Sequence, residues 1–482
     1  MTPSRRGLEH DQQALHYSIE GLRDEQPLYS SATTMTRGQA ITLLTVVVAL
    51  VAAAVVKPVA TGVTLVSAAT VLYLANLIDR LLLFIRGVGS NPEFTVSDEE
   101  ARSIPDDQLP TYTVLVPAFQ EPSIVGRLVD HLGALEYPPD RLEIKLLLEA
   151  DDTETIEAVF GHPDRSFLEV VLVPAAEPRT KPKACNYGLY GATSELITIY
   201  DAEDIPEPLQ LRRVAAVFRQ ATPEVICVQA KLRYHNETQN RLTRWFSSEY
   251  NQWFGYTLPG LMRSNAPIPL GGTSNHCKTA DLRLLGGWDP FNVTEDADLG
   301  IRMARQGYRT AVLDSVTLEE ANSDPINWIR QRSRWYKGYL QTFLVHTRQP
   351  RLLVRQLGWR GALRFASVTA GTPVIALINV IFWSLTLAWE VGEPSFIRTL
   401  FPWFIFYPAI LSLVAGNFSM IYCGLIAARV DRRPQLISAC LSVPVYWLLM
   451  SVAAVKAFVQ LLFQPSYWEK TAHGLDTHQR SI

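Results

Sequence analysis

Cysteine is scarce in this sequence and does not cluster. Cys185, Cys227, Cys277, Cys423 and Cys440 are the five cysteines among 482 residues. An odd, scattered set excludes a disulfide scaffold, and no two have zinc-ligand spacing, so buried reduced thiols are expected. Charge is also scarce. Charged residues make up 19% of the chain, below the roughly 25% of soluble domains. The net charge of −3 gives no bulk attraction to nucleic acid. The sequence has no Walker-type loop and no Gly-x-Gly-x-x-Gly after its first strand, which disfavours P-loop and dinucleotide sites. An apolar fraction of 48% excludes disorder and collagen. The length fits two to four domains at about 100–200 residues each.

The apolar residues gather in long runs. Gly38 to Val56 and Pro58 to Ile78 carry no charge and are separated by Lys57. Each has about the 20 residues that cross a bilayer, so together they predict a transmembrane hairpin. The 34 residues before Met35 are polar, which argues against a signal peptide. Phe365 to Trp389 and Thr399 to Ala428 are two further uncharged runs. A fifth, Pro434 to Phe463, contains Pro444, and Lys456, Gln460 and Gln464 recur on one helical face. That stripe predicts that its second half lies along the interface, giving four full crossings and a cytoplasmic tail. Arg80 and Arg86 follow the second run, and Arg429, Arg432 and Arg433 the fourth. The positive-inside rule then puts the N-terminus and the middle region, about 87–364, in the cytoplasm.

The middle region reads as an α/β domain with a mostly parallel sheet. Strands are expected at Thr111 to Pro117, Leu142 to Leu148, Leu168 to Val173 and Leu196 to Tyr200, with helices at Ile124 to Leu135 and from Ile156. Ligands of such sheets bind beyond the carboxyl ends of the strands. Carboxylates stand there: Glu149-Ala150-Asp151-Asp152 after the second strand and Asp201-Ala202-Glu203-Asp204 after the fourth. Clustered carboxylates repel unless a cation joins them, and oxygen ligands suit Mg²⁺ or Mn²⁺ shared with substrate phosphates. Lys181 and Lys183 lie between the clusters and suit a diphosphate. Thr294-Glu295-Asp296 opens a predicted helix, with Thr294 as its N-cap.

From Pro325 to Arg364 there are nine Lys and Arg, no Asp or Glu, and six interleaved Trp, Tyr and Phe. A nucleic-acid patch is one reading. A membrane-surface stretch against anionic lipid fits better, because the third apolar run follows directly.

In this order the motifs resemble the processive family-2 glycosyltransferases, such as cellulose, hyaluronan, chitin and poly-N-acetylglucosamine synthases. The matching residues are Val116-Pro117-Ala118-Phe119-Gln120-Glu121, Asp151-Asp152, Asp201-Ala202-Glu203, Thr294-Glu295-Asp296 and Gln331-Arg332-Ser333-Arg334-Trp335. Relatives often carry Asn at Gln120 and Asp at Glu203. The resemblance implies a GT-A-type nucleotide-sugar transferase domain between transmembrane helices. It divides the chain into an N-terminal segment 1–37, a hairpin 38–86, a transferase domain 87–324, interface helices 325–364, membrane helices 365–463 and a tail 464–482.

The resemblance also implies roles. Asp296 is the catalytic base. Glu121, Asp151, Asp152, Lys183 and Asp201 hold the donor nucleotide. Asp201 with Glu203 or Asp204 holds the divalent cation, Mg²⁺ or Mn²⁺. Glu295, Gln331, Arg334 and Trp335 serve the diphosphate and the acceptor. The implied activity is inverting transfer from a nucleotide sugar, UDP-glucose or UDP-N-acetylglucosamine, to a growing β-linked polysaccharide. Alternatives are single addition to a lipid-linked acceptor and an inactive membrane scaffold. The expected partners are the donor, the glycan or lipid acceptor and membrane lipids, with no nucleic acid. Similar synthases end in a run like Tyr467-Trp468-Glu469-Lys470-Thr471-Ala472-His473-Gly474.

Overall fold

The computed structural model describes residues 5–89, 93–163, 165–465 and 467–469. Eight strands form one mixed sheet. They are β1 (Tyr112–Ala118), β2 (Leu142–Glu149), β3 (Leu168–Val173), β4 (Leu196–Ile199), β5 (Ile205–Pro206), β6 (Val225–Tyr234), β7 (Asn275–Lys278) and β8 (Arg309–Glu319). Their order is β3-β2-β1-β4-β7-β6-β8-β5. The first four strands pair in parallel, as do β6 and β8, whereas β7 runs antiparallel to both β4 and β6. The sheet is buried on both faces because alternate residues enter different cores. Val114 and Val116 pack on one side with Leu146 and Leu148, and Leu115 packs on the other with Leu147. Such strands read as continuous apolar runs. The last four strands lack that signal: β6 and β7 carry buried Gln229, Lys231, Asn275 and His276.

Successive strands are added on one side of β1 (β2, β3) and then on the other (β4), so the carboxyl ends of β1, β2 and β4 open into one crevice at this switch point. Two glycines seat this domain on the membrane helices. A Cβ on Gly87 would overlap the carbonyl of Tyr256, and one on Gly260 the carbonyl of Leu83. The backbones of helices Pro58–Val88 and Leu258–Arg263 therefore touch directly.

Five helices are long and apolar enough to cross a membrane: Arg37–Val56, Pro58–Val88, Pro350–Gly392, Trp403–Val430 and Pro434–Phe463. Arg37–Val56 has no buried residue, as expected of a helix apolar all round and facing lipid. The fifth, regular over Ile437–Phe463, contacts the α/β domain near its start, and the segment just after it contacts the Pro325–His346 helix. Trp245 Nε1 donates to Ser442 at 3.0 Å, and Lys337 Nζ donates to the carbonyl of Tyr467 at 2.6 Å. Its polar stripe is matched within the protein, since Lys456 and Gln460 both donate to Glu469. The motif residues from Lys470 onward lie outside the described residues.

The basic stretch divides in two. Helix Pro325–His346 buries Trp328, Arg332, Tyr336, Lys337 and Gln341 and is internal rather than a membrane-surface element. The reason is that most of its side chains, polar and apolar, are enclosed by protein, with only Pro325, Ile326 and Arg330 near its start exposed. Helix Pro350–Ala366 breaks at Gly358, where φ is +69°, and leaves Val354, Trp359 and Leu363 exposed.

Candidate active site

The crevice begins at the β1 turn. Gln120 there has φ +57°, a left-handed conformation that Asn adopts more readily than Gln. Asp152 steadies this turn: its carboxylate accepts from the backbone N–H of Gln120 at 2.5 Å and caps the following helix at Thr155 N. Asp152 is thus buried and occupied, whereas Asp151 is exposed and pairs with Arg179 at 2.7 Å. Glu121 and Arg179 line the crevice.

The two lysines part ways. Lys183, expected at the nucleotide, is fully buried, pairs with Glu149 at 2.7 Å and donates to the carbonyl of Ala176. It does not line the crevice itself: it sits two residues beyond Lys181 on one helix, Lys181–Gly191, projects from another side, and reaches the wall only through Glu149. Lys181 takes the crevice position. It pairs with Asp201 and donates to the carbonyl of Gly272 at 2.7 Å. Burial alone would lower its pKa, but Asp201 and Glu295 raise it overall, so it stays charged.

Asp201 and Glu203 line the crevice. Asp204 does not. It is buried at 3% exposure and accepts from Asp201 N at 2.7 Å and from the Thr273 hydroxyl. Both bonds fall on one carboxylate oxygen and make Asp204 a brace of the loop after β4. Burial and the neighbouring Asp201 push its carboxyl well up.

Glu319, at the carboxyl end of β8, also faces the crevice. Burial, with Asp204, Asp201 and Glu203, raises its pKa far above the usual range. Sequence reading missed it, although a carboxylate at a strand end was the signal already used for Glu149 and Asp201.

Helix Glu295–Arg305 presents Glu295 and Asp296 across from Asp201. Thr294 occupies the N-cap but makes no side-chain cap bond. Its side chain instead packs where Gly338 of the Pro325–His346 helix leaves room, since a Cβ there would lie 2.4 Å from Thr294 Oγ1. Burial raises Asp296 to about 6, with the Ala297 N–H and Lys181 opposing. Burial and the adjacent Asp296 raise Glu295 to about 8.

Gln331, Arg334 and Trp335 line the same crevice. Arg334 lies 4.7 Å over the Trp468 ring, and Trp335 stacks near Tyr250. Between them Arg332 is committed elsewhere. It grips Glu249, and Tyr446 donates to the same carboxylate at 2.7 Å. This cleft has a volume of about 660 Å³. It runs from Asp201, Glu203 and Asp296 past Trp335 to Asn76, Asn379, Asn417 and Trp447 on the membrane helices.

Among the described residues no group of three or more His, Cys, Asp and Glu is arranged as a protein-only metal cage. The donor set still fits a hard cation. Asp201 and Glu203 both face the crevice, and Mg²⁺-like ions commonly take one or two carboxylates plus substrate phosphates.

Residues 110–338 match the family described as "Glycosyltransferase like family 2". The chain carries a family 2 glycosyltransferase domain. Among curated relatives of this chain, the beta-monoglucosyldiacylglycerol synthase of Synechocystis is 25% identical over 76% of this chain and 76% of its own length. The probable glycosyltransferase YdaM of Bacillus subtilis is 28% identical over 48% and 56% of the two chains. Glucomannan 4-beta-mannosyltransferase 2 of Arabidopsis thaliana is 25% identical over 64% of each. The chain thus spans between about half and three quarters of the length of these relatives. A solved mannosyltransferase from Pyrobaculum calidifontis, in complex with GDP-Man and Mn²⁺, superposes with a TM-score of 0.50 at 21% identity, over 83% of this chain and 99% of its own. At that identity the likeness is one of fold, and the fold is of GT-A type.

Proposed function

We propose that this glycosyltransferase works in the membrane, by inversion, moving a sugar from a nucleotide diphosphate sugar to the end of a growing β-linked glycan. The observation that carries the glycan reading is the continuity of the cleft. Asn76, Asn379 and Asn417 would be costly against lipid, whereas polar side chains on membrane helices that face a cavity mark a hydrophilic path. Trp335 and Trp447, which line the cleft and are only partly buried, offer flat faces to sugar rings.

In this reading Asp296 takes the proton of the acceptor hydroxyl, a poor nucleophile without such help. Lys181 and Arg334 bring positive charge to the leaving diphosphate. Asp201 and Glu203 would hold a divalent cation, which neutralises charge developing on that diphosphate. The Mn²⁺ in the archaeal mannosyltransferase supports a cation here. A single displacement inverts the anomeric centre and needs no nucleophilic carboxylate. Arg80, Arg86, Arg429, Arg432 and Arg433 support a cytoplasmic transferase domain, and the contacts of Tyr467 with Lys337 and of Trp468 with Arg334 support a tail on that side and four crossings.

Addition of one sugar to a membrane lipid is the second reading, favoured by the glycolipid synthase among the relatives. The test is incubation of membranes with labelled UDP-glucose, UDP-N-acetylglucosamine and GDP-mannose, followed by sizing of the product. Polymer resistant to lipid extraction supports the glycan reading. A single sugar on extractable lipid would replace it.

A further inference from the structure

The N-terminal segment precedes the family-matched region by many residues, yet it is built into the back of the Asp296 site. Three sets of contacts tie residues 26–34 to the two helices that carry the site.

The first is Arg348, just past the Pro325–His346 helix. Its guanidinium donates to the carbonyls of Pro27, Leu28, Ser30 and Thr33. Four carbonyls around one cation fix the course of an otherwise irregular strand. The second is the loop leading to Thr294. The N–H of Ser31 donates to the fully buried Asp289 at 2.5 Å, and the other oxygen of Asp289 accepts from Phe291 N. Gln341 joins Thr34 Oγ1, the carbonyl of Phe291 and Val293 N. The third lies beneath the helix that starts with Glu295. Asp298 accepts from Arg302 at 2.7 Å and from His346 Nε2 at 2.9 Å. His346 Nδ1 accepts from Arg305, whose guanidinium lies 4.9 Å from the Tyr29 ring centre. His346 is thus the neutral Nε2–H tautomer.

We propose that residues 26–34 are a positioning strap for acceptor deprotonation, holding the Asp289–Thr294 loop and the Glu295–Arg305 helix so that Asp296 meets the acceptor at the right distance. Arg348 and Asp289 are its positioning residues; neither touches the cleft. A displacement of about 1 Å at such a site can cost on the order of 100-fold in rate. This inference rests on Asp296 as the base.

The test uses the full chain in detergent, with whichever of UDP-glucose, UDP-N-acetylglucosamine and GDP-mannose it turns over. Arg348→Ala is expected to lower kcat roughly 10- to 100-fold while the donor KM stays within about threefold. Arg348→Lys should recover part of the loss. Hydrogen exchange over 289–300 should quicken, while β2 remains as protected as before. If Arg348→Ala does not fold, Asp289→Asn tests the same strap, because it turns an amide toward the N–H of Ser31. Unchanged kcat and unchanged exchange over 289–300 would overturn the proposal. So would parallel loss of kcat and nucleotide affinity, which marks general destabilisation. Asp296→Asn run alongside separates the two readings. Should that variant stay active, the base assignment fails, and the exchange data still judge the strap.

Discussion

Lys183 and Glu149 form an ion pair of 2.7 Å with both side chains withdrawn from solvent. Burial pushes the Glu149 carboxyl up, against the pull of Lys183. Lys183→Met should cost about 3–5 kcal/mol by stranding that carboxylate. Adding Glu149→Leu should return much of the loss. Thermal unfolding of the purified protein measures both. A full-stability single variant would show that the pair is not buried as described.

Asp296→Asn should keep the shape of the site and its nucleotide affinity but lower kcat by about 10²–10⁴-fold. The base must be ionised, and burial raises Asp296 to about 6. Activity should therefore fall as pH drops through about 6. Glu295, raised to about 8, is protonated at neutral pH, so Glu295→Gln should be far milder than Asp296→Asn. A pH profile of kcat/KM for the three proteins checks the ordering.

Chelation with EDTA should abolish activity, and Mg²⁺ or Mn²⁺ should restore it. Asp201→Ala and Glu203→Ala should lose cation-dependent binding of UDP or GDP, followed by calorimetry. Asp204→Ala should behave differently. It removes the acceptor of Asp201 N and Thr273 Oγ1, so the midpoint of unfolding should fall while cation dependence persists. Loss of cation dependence in Asp204→Ala alone would return that residue to the ligand set.

The side of the tail can be read chemically. In a background without the five cysteines, a cysteine at Glu393, between the third and fourth apolar helices, should react with an impermeant maleimide in intact cells. One at Gln464 should not react until the membrane is opened. Labelling of Gln464→Cys from outside would mean that Ile437–Phe463 crosses completely.

Much of this architecture was legible in the chain. Long uncharged runs determine membrane helices because lipid cannot solvate charge. β1 to β4 could be read because strands buried on both faces need unbroken apolar residues. Carboxylates at strand ends, and Thr294-Glu295-Asp296 with Gln331, Arg334 and Trp335, could be grouped by their order. The sequence could not assign the side each neighbour faces. Lys181 and Lys183 are two residues apart on one helix, and only packing sends one into the cleft and the other against Glu149. Asp201, Glu203 and Asp204 share one turn, and only its hydrogen bonds turn Asp204 inward. Glu319 and the strap at residues 26–34 join the site across hundreds of residues. Such contacts depend on how the sheet and helices close on one another, which local pattern does not encode.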